Sequence, residues 1–160
     1  MKKKLRVLLG LILSVLVLTG STLGEATVSY AKANSVKAVT SKGSAKTIKL
    51  NTTYSVSGFK KNGECYVSFT LKEKSNFKVD VSNVNEGGTL QFRVRPADNS
   101  LILVGYRESI HTSFDEKSAS IKAMGSQQAL PAGKYYIIFE ASADTDGELL
   151  QSCNVKVTVK

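Results

Sequence analysis

The chain has 160 residues, 42% of them hydrophobic, with 22 basic and 13 acidic residues and a formal net charge of +9. This composition excludes collagen, coiled coil and wholesale disorder, and the length leaves room for one domain whose core needs neither a metal nor a dense disulfide net. Much of the charge lies at the start: Lys2, Lys3, Lys4 and Arg6 precede an apolar run from Val7 to Leu18, the order of an export signal. The run is shorter than the roughly twenty residues of a membrane span. Ala31-Lys32-Ala33 supplies small residues for cleavage before Asn34, and no cysteine precedes Cys65 to carry a lipid. Residues 1–33 are therefore expected to be a signal peptide, leaving a secreted product, loosely wall-associated at most, with no stable membrane anchor. Cleavage removes five of the basic residues and one of the acidic ones, so the remaining 127 residues carry +5.

Residues 34–45, NSVKAVTSKGSA, are small, polar and without a sustained period, and read as an extended lead-in to a domain over 46–160. Ile48–Leu50 and Thr53–Gly58 read as opening strands. Strict alternation then sets apolar Cys65, Val67, Phe69 and Leu71 against Tyr66, Ser68, Thr70 and Lys72. The same pattern recurs at Phe77, Val79 and Val81, at Leu90, Phe92 and Val94, and at Val155, Val157 and Val159. The continuous apolar runs 101–106 (LILVGY) and 134–141 (KYYIIFEA) predict central strands covered on both faces. Residues 113–124 read as a loop followed by a short strand. Turn signals such as Lys61-Asn62-Gly63 and Pro131-Ala132-Gly133 separate the runs, which is the spacing of an all-β sandwich of eight or nine strands.

Four stretches resemble the bacterial pre-peptidase C-terminal domain, a secreted antiparallel β-sandwich of jelly-roll type usually appended to extracellular enzymes. Tyr66–Leu71 is similar to its opening strand, Phe92–Ile102 to its "LYLYDPDGTVL" hairpin, Leu130–Ile137 to its "LPAGTYYV" and Val155–Val159 to its closing strand. The Leu130–Ile137 match is the most specific, because its Pro and Gly set a tight turn before Tyr135 and Tyr136 point to opposite faces. This chain has Glu64 and Gln91 where the family has an aspartate and, often, another acidic residue. The resemblance implies an accessory role in secretion, folding or attachment. It also implies that the first and last strands are antiparallel neighbours, with Cys65 and Cys153 at opposite ends of the pair. That separation is too wide for a disulfide, so two buried free thiols are expected.

No catalytic constellation emerges. His111, the only histidine, sits in a polar segment without a nucleophile motif or a second imidazole. Asp144-Thr145-Asp146-Gly147-Glu148 opens like a calcium loop, but Val155 stands where an EF-hand needs its glutamate, and the stretch reads as a hairpin tip. No cofactor, metal site or nucleic-acid partner is expected. Lys78, Arg93, Arg95, Lys156 and Lys160 share the outward parity with only Asp80 among them, and form a candidate polyanion patch on one face or two. Tyr106 and Tyr135 are candidate glycan contacts in a chain without tryptophan. The function expected is a non-catalytic binding or accessory module for a wall polymer, glycan or secreted protein. The alternatives are a small extracellular hydrolase using carboxylates such as Asp115 and Glu116, or an inhibitor or folding helper of a secreted enzyme.

Overall fold

A computed structural model describes residues 34–85, 88–100, 104–122, 129–142 and 152–159. The expected signal peptide, the Asp144–Glu148 turn and Lys160 lie outside them. The described strands are β1 (Asn34–Lys37), β2 (Thr53–Ser57), β3 (Glu64–Leu71), β4 (Phe77–Ser82), β5 (Thr89–Pro96), β6 (Glu108–His111), β7 (Ala119–Lys122), β8 (Gly133–Ser142) and β9 (Ser152–Val159). They form a five-stranded sheet of order β1-β2-β9-β4-β7 and a four-stranded sheet of order β3-β8-β5-β6. From β2 onward every step of the chain changes sheet except the β5–β6 connection, and all these pairs are antiparallel. This is the double Greek key of a jelly roll.

The alternation explains the core. Cys65, Val67, Phe69 and Leu71 of β3, Phe77, Val79 and Val81 of β4, Leu90, Phe92 and Val94 of β5, and Val155 and Val157 of β9 are all buried between the sheets. Burying each large apolar side chain contributes about 1.5–3 kcal/mol. Phe69 is the aromatic hub: it stacks on Tyr135 with centroids 5.4 Å apart and meets Phe77 edge-on at 5.0 Å. The Pro131–Gly133 turn aims that stack. Gly133 has φ +151°, a conformation L side chains rarely adopt, and the Tyr135 hydroxyl donates back to the Pro131 carbonyl at 2.8 Å.

Four sequence expectations are corrected by this arrangement. The lead-in is part of the sandwich: β1 pairs in parallel with β2, and the following residues run along the edge of β3, where Val39 bridges Tyr66 and Thr47 bridges Ser68. We call residues 34–48 the strap. Short sequence spacing hid it, because its buried anchors Ala38, Ala45 and Ile48 are isolated small or single apolar residues without a period. Ile48–Leu50 is correspondingly no strand but the strap's end, with Ile48 N–H donating to Ser68 O at 2.8 Å. The run 101–106 is not a central strand where it is described. Val104 is buried and Gly105 lies so close to β7 that a Cβ would come within 2.6 Å of the Ile121 side chain, while residues 101–103 lie outside the described residues. The run 134–141 does form an interior strand of the four-stranded sheet, β8, flanked by β3 and β5.

The fourth correction concerns the cysteines. Both are free and buried, but β3 and β9 are not neighbours; β3 pairs with β8, while β9 lies between β2 and β4 in the other sheet. Residues 112–122 follow the expected loop and short strand, as a single 3₁₀ turn (Thr112–Phe114) and β7.

Candidate functional site

The outer face of the four-stranded sheet holds the polar chemistry. Register places Glu64, Glu140, Gln91 and Ser109 in one row across β3, β8, β5 and β6, with Tyr66, Ile138 and Arg93 in the next. Two glutamates directly opposed on neighbouring strands repel each other. Arg93 resolves this: its Nη2 donates to Glu64 Oε1 and its Nη1 to Glu140 Oε1, while Arg107, just ahead of β6, donates to the same Glu140 oxygen. Tyr66 completes the cluster by donating its hydroxyl to Glu64 Oε2. That hydrogen bond, aided by burial, pushes the Tyr66 phenol up to about 12, since ionising it would set two anions side by side. Burial alone would raise Glu140, but its bonds to Arg93 and Arg107 outweigh this and hold it below the ordinary carboxylate value.

The strap builds the wall beside this cluster. Ala45 and Val39 pack with Tyr66, Ile138 and Tyr136 in a small second core outside the sheet, so Tyr66 is only 7% exposed despite its outward parity. The Ser68 hydroxyl, 0% exposed, faces the Ala45 and Lys46 carbonyls and lies 3.0 Å from the Thr47 hydroxyl. Lys42, on a 3₁₀ turn of the strap (Lys42–Ser44), sets its ammonium 5.7 Å from the centre of the Tyr66 ring.

Between the strap, β5 and the segment before β6 lies a cleft of about 630 Å³ lined by Lys42, Glu64, Arg93, Arg95, Pro96, Asn99, Ser100, Arg107 and Ile138. Counting Glu140, which binds two of its arginines, four cations meet two carboxylates there. Arg95 is exposed and has no carboxylate partner among the described residues. A surface concavity with net positive charge and an Ile138–Pro96 floor can hold an anionic group together with its carbon framework.

The sequence-derived patch does not survive as one surface. Arg93 and Arg95 belong to the four-stranded sheet, whereas Lys78 and Lys156 stand on the outer face of the other sheet, and Lys160 is outside the described residues. Lys78 is also neutralised, 2.5 Å from Asp80, whose carboxylate accepts from Ser120 at 2.6 Å. Burial tends to raise Asp80, but Lys78 and Ser120 prevail and lower it. Tyr135 is no glycan platform, being 1% exposed in the aromatic core; Tyr106, 70% exposed, remains on the surface but does not line the cleft. His111 takes part in structure: its ring Nδ1 lies 3.0 Å from Thr89 Oγ1, and its backbone N–H donates to Glu116 Oε2. Glu116 is thus engaged, Asp115 sits in a left-handed turn, and neither lines the cleft. Sequence reasoning missed Lys42 and Arg107, whose segments carry no periodicity, and read Glu64 only as a family departure; its pairing with Glu140 requires the β3–β8 register.

No protein-family model matches the chain, and neither does any curated protein sequence. Among solved structures, the chain is similar to the pre-peptidase C-terminal domain of a collagenase from Bacillus anthracis, at 18% identity and a TM-score of 0.44, covering 71% of this chain and 93% of that one. Among the described residues, no helix is long and apolar enough to cross a membrane.

Proposed function

We propose that this protein is an exported, non-catalytic binding module that attaches to an anionic polymer of the cell surface through the cleft on its four-stranded sheet. The observation that carries the reading is convergence. Lys42, Arg93, Arg95 and Arg107 come from three separate stretches of chain and meet at one concavity holding half as many carboxylates. Basic n-region, apolar run and small-residue cleavage site support export. The four resembling stretches support an accessory rather than a catalytic role.

Charge reversal on the two faces tests this. The purified protein should be retained on anionic wall material at low ionic strength and released by moderate salt, because salt screens the charges and diminishes the gain from counter-ion release. Lys42→Glu with Arg95→Glu should weaken retention about tenfold more than Lys78→Glu with Lys156→Glu, which changes net charge equally on the opposite face. Equal loss from both pairs reduces the effect to net charge and removes the cleft from the account. Turnover of the bound polymer would replace the module with an enzyme.

A further inference from the structure

We infer that the arginines of the cleft divide their work: Arg93 is fixed framework, whereas Arg107 is an exchangeable clasp that leaves Glu140 for an anion of the bound polymer. This rests on the binding-module reading above and gives its cleft an internal competitor. The division follows from what each guanidinium would abandon. Arg93 donates through Nη1 to Glu140 and through Nη2 to Glu64, and its side chain is only 22% exposed. Turning it toward a ligand would strand two carboxylates that the register sets opposite each other. Arg107 donates through Nη2 alone, to the same Glu140 oxygen that Arg93 already holds. Its departure leaves Glu140 paired.

Position points the same way. The Arg107 side chain is 42% exposed, and the residue stands just ahead of β6 rather than in a strand, so its guanidinium can swing without breaking a ladder. It lines the cleft together with Arg95, which has no carboxylate partner among the described residues. Arg95 is thus a standing charge for an arriving anion, and Arg107 a second one on demand. The exchange breaks one arginine–carboxylate contact and makes one arginine–anion contact. An exposed pair of this kind is weak in water, so a polymer anion can displace it. Glu140 accordingly lowers the affinity of the cleft for any anion by the contact that must first be given up.

A mutant cycle tests this, read by affinity electrophoresis of the full-length purified protein through poly(glycerol phosphate) at low ionic strength. Arg107→Gln should weaken binding about fivefold while moving the melting temperature by no more than about 2 °C, the scale of an exposed pair. Glu140→Gln keeps an oxygen for Arg93 but frees Arg107, and should tighten binding about threefold. Asp80→Asn makes the same change in net charge and frees Lys78 on the other sheet, yet should leave binding within about 1.5-fold. In an Arg107→Gln background the gain from Glu140→Gln should disappear, because Glu140 acts through Arg107. Unchanged binding by Arg107→Gln, equal tightening by Glu140→Gln and Asp80→Asn, or an undiminished gain without Arg107 overturns the clasp while leaving an anion-binding module. A melting loss in Arg107→Gln as large as that in Arg93→Met overturns it too, by making Arg107 framework. Retention of neither the wild-type nor the Glu140→Gln protein overturns the module reading itself.

Discussion

On the outer face of the five-stranded sheet, register sets Ser35, Ser55, Asn154 and Ser82 in one row and Thr53, Lys156, Asp80 and Ser120 in the next. The face is short-chained and lysine-dotted, with one described ion pair, Lys78–Asp80. Across the sandwich, the corresponding rows carry Glu64, Glu140, Tyr66, Ile138 and Arg93, locked by three ion pairs and roofed by the strap. Both faces arise from the same alternation of apolar and polar residues. What separates them is cover: a face that meets only water needs small hydroxyls and lysines, whereas a face under a second layer must satisfy and pack every group it hides.

The largest way to break that contrast is Tyr66→Ala. If the strap makes an outer residue part of a core, the loss in denaturant melts should approach that of Phe69→Ala, about 3–5 kcal/mol, while Lys156→Ala on the open face stays within about 0.5 kcal/mol. A Tyr66→Ala loss below about 1 kcal/mol would show the strap to be a loose covering. Next comes Arg93→Met, which strands two opposed glutamates and should cost about 1 kcal/mol near neutral pH after allowing for solvent screening. Lys78→Met, leaving a single Asp80 beside Lys156, should cost less, and the reverse order would erase the distinction between the faces.

The arginine cluster also sets an acid limb. Glu140 has a lower pKa folded than unfolded, so its contribution to stability is present above the ordinary carboxylate value of 4.5 and is lost as pH falls through its depressed folded value. Melting temperature should therefore fall below about pH 4.5, and less steeply in Arg93→Met, where Arg107 alone is left to lower Glu140. A parallel fall in both proteins would assign the limb to other carboxylates. The smallest effect is alkaline. The Tyr66 phenol is raised to about 12, so its preference for the neutral form stabilises the fold below pH 10 and is lost as pH climbs through 12. Tyr66→Phe should remove one late-ionising phenol from the absorbance titration, and removal of an ordinary one would place Tyr66 in water.

Alternation made most of this architecture legible. The parity of β3, β4, β5 and β9 is readable residue by residue, because a strand with one covered face must repeat with period two. The two-sided burial of β8 was legible from its unbroken apolar run. Run 101–106 carried the same signal, yet its described residues 104–106 form no strand. The site was far less legible. Glu64 and Glu140 are 76 positions apart, and only the β3–β8 register makes them opposite. Arg93 and Lys78 look alike in sequence but belong to different sheets, a matter of strand order that local patterning does not encode. Lys42 depends on a strap whose apolar anchors are too sparse to show a period.

The two thiols turn the sandwich into its own clock. Burial pushes the Cys153 thiol well above its ordinary value, so at neutral pH it holds little of the thiolate that alkylating reagents attack, and its side chain is 1% exposed in the core. Cys65 is held between the Lys60 N–H and the Gly58 carbonyl. An alkylating reagent can therefore reach either sulfur only when the sheets part, and labelling kinetics followed by mass would report how often the jelly roll opens, with no probe attached and no residue changed.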